Sequence, residues 1–276
     1  MLGRPPADRL IEKLEREFAD HSAQSGPVTM HTINCGGAAA ATGYENAVRR
    51  TFGRVRVNLL HGTLPYDVDD QALIEEVDRL NEDASVHGVL IFEPLPPHIN
   101  AELVKGRLLP SKDVDCVTPK RLGEFYSGKS PVAPATAAAV IQMLDHYETA
   151  IEGKRAVVVG RSGIVGKPAA LLLMFRHATV TVCHTRTRSL PAELQRAEII
   201  VAAAGVPGLI TVDHVSEGVV VVDVATNYLN DRVVGDVDFD EVSQKAKAIT
   251  PVPKGVGPLT TVMLAANLLN LVSSGG

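Results

Sequence analysis

Residues 156–168 read A-V-V-V-G-R-S-G-I-V-G-K-P, and this stretch restricts the fold more than any other. Ala156 to Val159 are apolar and mostly β-branched, which suits a short strand covered on both faces. Gly160, Gly163 and Gly166 follow at intervals of three. Pro168 and the apolar run from Ala169 to Met174 then open a helix. A strand, a glycine turn and a helix N-terminus make a cradle for an anion, because free N–H groups and the helix dipole both face the turn. Glycine lets a pyrophosphate approach the backbone closely. The spacing is one residue longer than G-x-G-x-x-G, so an ordinary βα turn is the competing reading.

The next strand sharpens the expectation. Thr179 to Cys183 is short and β-branched, and His184, Thr185, Arg186, Thr187 and Arg188 follow it. An NAD-binding unit usually carries Asp or Glu at this distance from the glycines, for the ribose hydroxyls. Here hydroxyls and two arginines stand instead, and Arg161 sits in the glycine turn itself. Such a pocket suits a 2′-phosphate. Charge-assisted bonds are worth roughly 1.5–3 kcal/mol each, so two of them favour NADP over NAD by about a hundredfold.

A chain of 276 residues is long enough for two lobes. Its net charge of −5 argues against nucleic acid as a partner, since phosphate backbones need a basic face. Cys35, Cys116 and Cys183 are scattered and odd in number, which suggests a reducing compartment. No Cys or His pair has structural-zinc spacing, so no metal is expected. No signal pattern and no apolar run near 18 residues is present, so no membrane partner is expected and the location reads as cytoplasmic.

The remaining chain alternates strand and helix. Residues 7–20 read as an amphipathic helix with Leu10, Ile11, Leu14 and Phe18 on one stripe. Strands are expected at 28–34, 54–60 and 88–92, with a small-residue loop at 36–44 leading into a helix and another helix over 69–80. Helices at 119–126 and 136–146 are expected to cross between lobes. Later strands fall at 199–204 and 219–224, each ending in a loop on the side where such sheets bind ligands. The prolines and glycines of Thr250 to Pro258 form a stiff loop ahead of a last apolar helix, 259–271. The fold class is therefore α/β with parallel sheets.

Several motifs occur in one order. They are Pro94-Leu95-Pro96, Asp113-Val114-Asp115, Gly160-Arg161-Ser162 with Ile164-Val165-Gly166 and Pro168, and Thr179 to His184. Gly235-Asp236-Val237-Asp238-Phe239 follows, then Thr250-Pro251-Val252-Pro253 with Gly255-Val256-Gly257-Pro258. Together they resemble the methylenetetrahydrofolate dehydrogenase/cyclohydrolase family. The resemblance implies a two-lobed protein: an N-terminal parallel α/β catalytic domain and a C-terminal Rossmann NADP-binding domain. The expected limits are 1–135, completed by the helix 259–274, and 136–258. A folate-binding cleft between the lobes and a homodimer are implied as well. The residues it points to for cofactor are Gly160, Arg161, Ser162, Gly163, Ile164, Val165, His184, Thr185, Arg186, Arg188, Ala204, Gly205 and Thr226. For substrate they are Tyr44, Phe92, Glu93, Asp115, Pro251, Gly255 and Pro258, with Tyr44 and Asp115 as the catalytic pair.

The sequence also departs from the family. The family carries Tyr and, four residues later, Lys; here Tyr44 is followed by Val48. The family glutamine before Pro-Leu-Pro is Phe92, followed by Glu93. The serine three before the tyrosine is Ala41, and Cys116 stands where glycine is usual. Lys254 replaces a glycine. Hydride transfer leaves a cation stabilised by two flanking nitrogens, so that step needs no protein base. Ring opening by water needs a proton relay, and general acid–base groups contribute on the order of 10²–10⁴-fold. Valine cannot ionise, and Arg49 or Arg50 has too high a pKa. The expectation is a methylenetetrahydrofolate dehydrogenase, an oxidoreductase whose cyclohydrolase activity is weak or lost. The alternatives are a paralogue working on another pterin or iminium-like substrate, and a non-catalytic NADP sensor. Glu93, if buried, needs a partner, either a ligand or a base such as Arg49.

Overall fold

A computed structural model describes residues 1–36, 39–230 and 232–274, with the side chains of residues 39–42 excepted. Part of the expected 36–44 loop, and the side chain of Ala41, lie outside the described residues. The chain divides into two units, one of Arg9–Ala133 with Leu264–Gly276, the other of Met1–Asp8 with Pro134–Met263.

In the first unit the elements are α1 (Arg4–Ser25, entered from the other unit), β1 (Thr29–Cys35), α2 (Ala39–Arg54), β2 (Asn58–Leu64), α3 (Asp70–Glu82), β3 (Gly88–Ile91), α4 (Ala101–Arg107) and α5 (Pro119–Tyr126). The three strands are parallel in the order β2-β1-β3. Central β1 is almost wholly buried, whereas edge strand β2 alternates. Ile33, Val89 and Ile91 pack with Leu73, Val77 and Leu80 of α3, whose first turn is capped by Asp69 accepting the Ala72 N–H at 2.8 Å.

Two expectations shift here. The strand expected over 54–60 starts later. Helix α2 runs on to Arg54, Arg56 turns the chain at φ 59°, and the strand is Asn58–Leu64. Val55 and Val57 are apolar because they are core residues, not because they are strand. The helices at 119–126 and 136–146 do not cross between units: each lies within one. It is α10 (below) and α1 that have residues in both.

The second unit contains α6 (Ala135–His146), β4 (Arg155–Val159), α7 (Gly166–Phe175), β5 (Thr179–Cys183), α8 (Leu190–Leu194), β6 (Ile199–Ala202), β7 (Val220–Asp223), β8 (Asn227–Leu229), β9 (Arg232–Val234), α9 (Phe239–Val242), β10 (Ala248–Ile249) and the start of α10 (Gly257–Ser273). Five strands form a parallel sheet in the order β10-β7-β6-β4-β5. β6 and β7 are buried at every residue, as expected for strands covered on both faces. β8 and β9 form a separate antiparallel hairpin. Reading from β5, the order is second, first, third, fourth, fifth. The switch point therefore lies between β4 and β6, and ligands of open α/β sheets bind beyond the carboxyl ends of the strands there. Among the described residues no helix is long and apolar enough to cross a membrane.

Candidate functional site

In the first unit, Tyr44 on α2 meets Phe92, the residue after β3. The Phe92 N–H donates to the Ile33 carbonyl at 2.9 Å, extending the ladder by one residue and fixing where the ring stands. Burial, then the charge of Asp115, raises the Tyr44 phenol above its ordinary pKa, so it stays protonated as a hydrogen-bond donor. Val48, one turn further along α2, is fully buried. The Glu93 carboxylate pairs with Lys105 of α4. Arg49, the other basic partner considered for Glu93, pairs with Glu45 at 3.2 Å.

Asp115 sits in a loop built by residues the sequence reading did not single out for this task. The buried Asp113 carboxylate accepts the N–H of Val117 at 3.0 Å and of Thr118 at 2.8 Å, closing the loop around Asp115 and Cys116. Cys116 takes φ 55°, which explains why glycine suits this position. Asn267 on α10 donates to the carbonyls of Val114 and Ala133, both at 2.8 Å. It lies 153 residues from Val114, so no local pattern announces it. Glu45, Asn34 and His61 form a further polar cluster, with Asn34 Nδ2 donating to Glu45 at 3.1 Å and His61 Nδ1 at 3.5 Å from it.

In the second unit the glycine turn follows β4 at the switch point. Gly160 has φ 121°, and a Cβ there would collide with the Ala203 carbonyl; a Cβ on Gly166 would collide with the Gly160 carbonyl. Those two glycines are demanded by the fold. Gly163 is different: its φ is ordinary and a Cβ would meet nothing within 4 Å. The Ser162 hydroxyl accepts the N–H groups of Val165 and Gly166, each at 3.2 Å, and so holds the turn that leads into α7. Residues 161–164 are exposed beside it, including the apolar Ile164 at 41%.

His184 stays in place through its neighbours. Its N–H donates to Thr187 Oγ1 at 2.9 Å and its Nδ1 accepts the Arg186 N–H at 3.0 Å, which arches the segment after β5. Thr185, Arg186 and Arg188 are exposed. Arg161, Arg186 and Arg188 make no ion pair among the described residues. Ala204 and Gly205 form the loop after β6, and Thr226 is exposed after β7.

Two carboxylates lie under these loops. Asp236 accepts the N–H groups of Ala204, Gly205 and Val206, and Asp223 accepts those of Ala225 at 3.1 Å and Val237 at 2.9 Å. Burial, reinforced by the charge of Asp236, pushes Asp223 up to about 6. Asp223 also exchanges hydrogen bonds with Thr250, its N–H donating to Thr250 Oγ1 at 2.7 Å. That contact anchors the stiff loop. Gly255 in it is buried, and a Cβ there would strike the Pro251 carbonyl, while Pro258 is exposed. Lys254 takes φ 83°, and its carbonyl accepts the Gly3 N–H at 2.9 Å.

The NAD(P)-binding domain of tetrahydrofolate dehydrogenase/cyclohydrolase matches residues 134–275, and the catalytic domain of the same family matches residues 1–115. The bifunctional protein FolD of Lactobacillus delbrueckii subsp. bulgaricus is 41% identical over 269 residues, 98% of this chain and 95% of that protein. The crystal structure of the bifunctional methylenetetrahydrofolate dehydrogenase/cyclohydrolase of Campylobacter jejuni superposes with a TM-score of 0.96 at 36% identity, covering 99% of this chain and 98% of that one. The Trypanosoma brucei enzyme, solved with NADP cofactor and inhibitor, gives 0.95 at 35% identity, covering 100% and 97%. The chain belongs to the tetrahydrofolate dehydrogenase/cyclohydrolase family.

Proposed function

We propose that the protein is an NADP-dependent methylenetetrahydrofolate dehydrogenase, transferring a hydride from methylenetetrahydrofolate to NADP and giving methenyltetrahydrofolate. The observation that carries the cofactor half is Gly163. Nothing in the fold demands glycine there, so the small residue serves a ligand that comes close to the backbone. Arg161, Arg186 and Arg188, without an ion pair among the described residues, supply charge for a 2′-phosphate. Bound NADP supplies the hydride-accepting ring.

The chain's own residues have limited chemistry to do at that step, because two nitrogens of the substrate stabilise the cation that forms. In this reading the protonated Tyr44 and the carboxylate of Asp115 hold the pterin, with Asp115 accepting from the pterin's amino group and ring nitrogen. Phe92 shields one side from water. Glu93, engaged by Lys105, acts on the substrate only by orienting the Pro94–Pro97 loop.

We further propose that cyclohydrolase activity is weak. Val48 stands where the family's lysine is expected, is fully buried, and has no proton to relay. The homodimer implied by the family and a cytoplasmic location, which suits three free buried cysteines, complete the reading. The test is absorbance at the reduced-nicotinamide wavelength with methylenetetrahydrofolate and NADP. Steady turnover supports the dehydrogenase. Tight NADP binding with no turnover on folates or other pterins supports a sensor instead.

A further inference from the structure

Residues 203–209 after β6 are in neither helix nor strand, and Ile210 bridges Val237 at the end of the loop, yet the backbone between is closely held. Asp236 Oδ2 accepts the Ala204 N–H at 2.6 Å and the Gly205 N–H at 3.0 Å, and Oδ1 accepts the Val206 N–H at 2.7 Å. The same Oδ1 accepts Asn227 Nδ2 at 3.0 Å. The carboxylate is fully buried and makes no ion pair among the described residues, so these four N–H donors are what satisfy its charge. Asp236 is itself fixed: the Val237 N–H donates to Asp223, and Gly235 has no room for a side chain against that carboxylate.

We propose that Asp236 is a positioning residue for the dinucleotide. Its carboxylate turns three successive amides inward, so the loop at the switch point faces its ligand with carbonyl oxygens and Cα atoms, and Gly205 takes φ 71° in the process. Through Asn227 it also holds the segment after β7, where Thr226 lies. One buried anion thus sets both loops that carry Ala204, Gly205 and Thr226. The phosphates then depend on the arginines and residues 161–164, not on the 204–206 amides. This inference rests on the NADP reading above.

The test is Asp236→Asn, which keeps the size but turns an NH₂ group toward at least one loop N–H. The expected result is a KM and a Kd for NADP raised tenfold or more, with the KM for methylenetetrahydrofolate within threefold of wild type and native circular dichroism. A purely structural role would lower the folded fraction and leave the KM for NADP unchanged in the enzyme that remains. A folded variant whose KM for NADP stays within threefold overturns the proposal. If Asp236→Asn fails to fold, Asn227→Ala, which deletes one donor, must still raise that KM at least threefold, and an unchanged value overturns it equally. Wild-type protein that binds neither NADP nor NAD in a titration sinks the cofactor reading and this proposal with it; wild-type binding with an indifferent variant sinks this proposal alone.

Discussion

The rings of Tyr44 and Phe92 meet edge to face, centroids 5.7 Å apart at an interplanar angle of 82°. Such pairs add about 0.5–1.5 kcal/mol beyond the area they bury. The pair separates two roles that a single residue would confuse. Phe92→Leu is expected to cost about 1–2 kcal/mol in urea unfolding, from the lost ring pair and a partly collapsed site. Tyr44→Phe retains the packing and is expected to leave stability within about 1 kcal/mol. It removes the hydroxyl near Asp115, so kcat/KM for the folate falls at least about tenfold, the scale of one lost hydrogen bond to a charged group. A Tyr44→Phe enzyme with unchanged kcat/KM removes the phenol from the site.

Val48 makes the second prediction. Methenyltetrahydrofolate hydrolysis is expected to run about 10²–10⁴-fold below that of a bifunctional member of the family, the range a missing general acid–base group leaves. It is followed by loss of the methenyl absorbance, corrected for the uncatalysed reaction. A hydrolysis rate comparable with that of such a member rules out the proposed role of the position. Val48→Lys alone is expected to lower stability by about 3 kcal/mol or more, because it places an ammonium where no side-chain atom now reaches solvent.

The glycine turn gives a contrast within one motif. Gly160→Ala forces a side chain onto φ 121° and into the Ala203 carbonyl, and is expected to cost about 3 kcal/mol or more. Gly163→Ala meets open space at an ordinary φ, so stability should stay within about 1 kcal/mol of wild type. Its KM for NADP should nevertheless rise severalfold, because the added methyl occupies the approach of the dinucleotide. Thermal melts and NADP titrations of the two variants check this. Equal NADP affinity in Gly163→Ala and wild type defeats the assignment of the turn.

These contrasts show where the sequence is transparent. The buried strands Ala156–Val159 and Ile199–Ala202, and the Leu73, Val77 and Leu80 stripe of α3, are read from period and composition, because one residue in the pattern is one residue in the core. Helix α4 is not: in seven residues it buries only Val104, too little for a period to show. The hairpin of β8 and β9 lies on the surface with no alternation to mark it. The site divides the same way. The glycine turn is contiguous and visible. Asp236 lies in a quoted motif, but its partners are 30 residues or more away along the chain, apart from Asn227. The sequence leaves Glu93 either a ligand or a base such as Arg49 as partner, and α4, unseen in the sequence, supplies Lys105.

Asp223 ties these observations to pH. Its carboxyl is pushed from 3.8 to about 6, first by burial and then by the charge of Asp236, against the pull of the N–H groups it accepts. A raised carboxyl pKa means the folded protein binds this proton more tightly than the unfolded chain. The contribution of Asp223 is therefore complete below about pH 4 and is lost as pH climbs to about 6, after which it is flat. Two pKa units correspond to about 3 kcal/mol. Other carboxylates, such as Glu76 with its depressed pKa beside Arg79, act in the opposite direction. The effect is therefore read as the stability of wild type minus that of Asp223→Asn, whose side chain does not titrate. That difference should fall by about 2 kcal/mol between pH 4 and pH 7 in urea unfolding. A difference that is flat, or that grows with pH, shows that Asp223 enters the fold already ionised. The network beneath the 235–237 turn would then hold the Asp223 charge across that whole pH range.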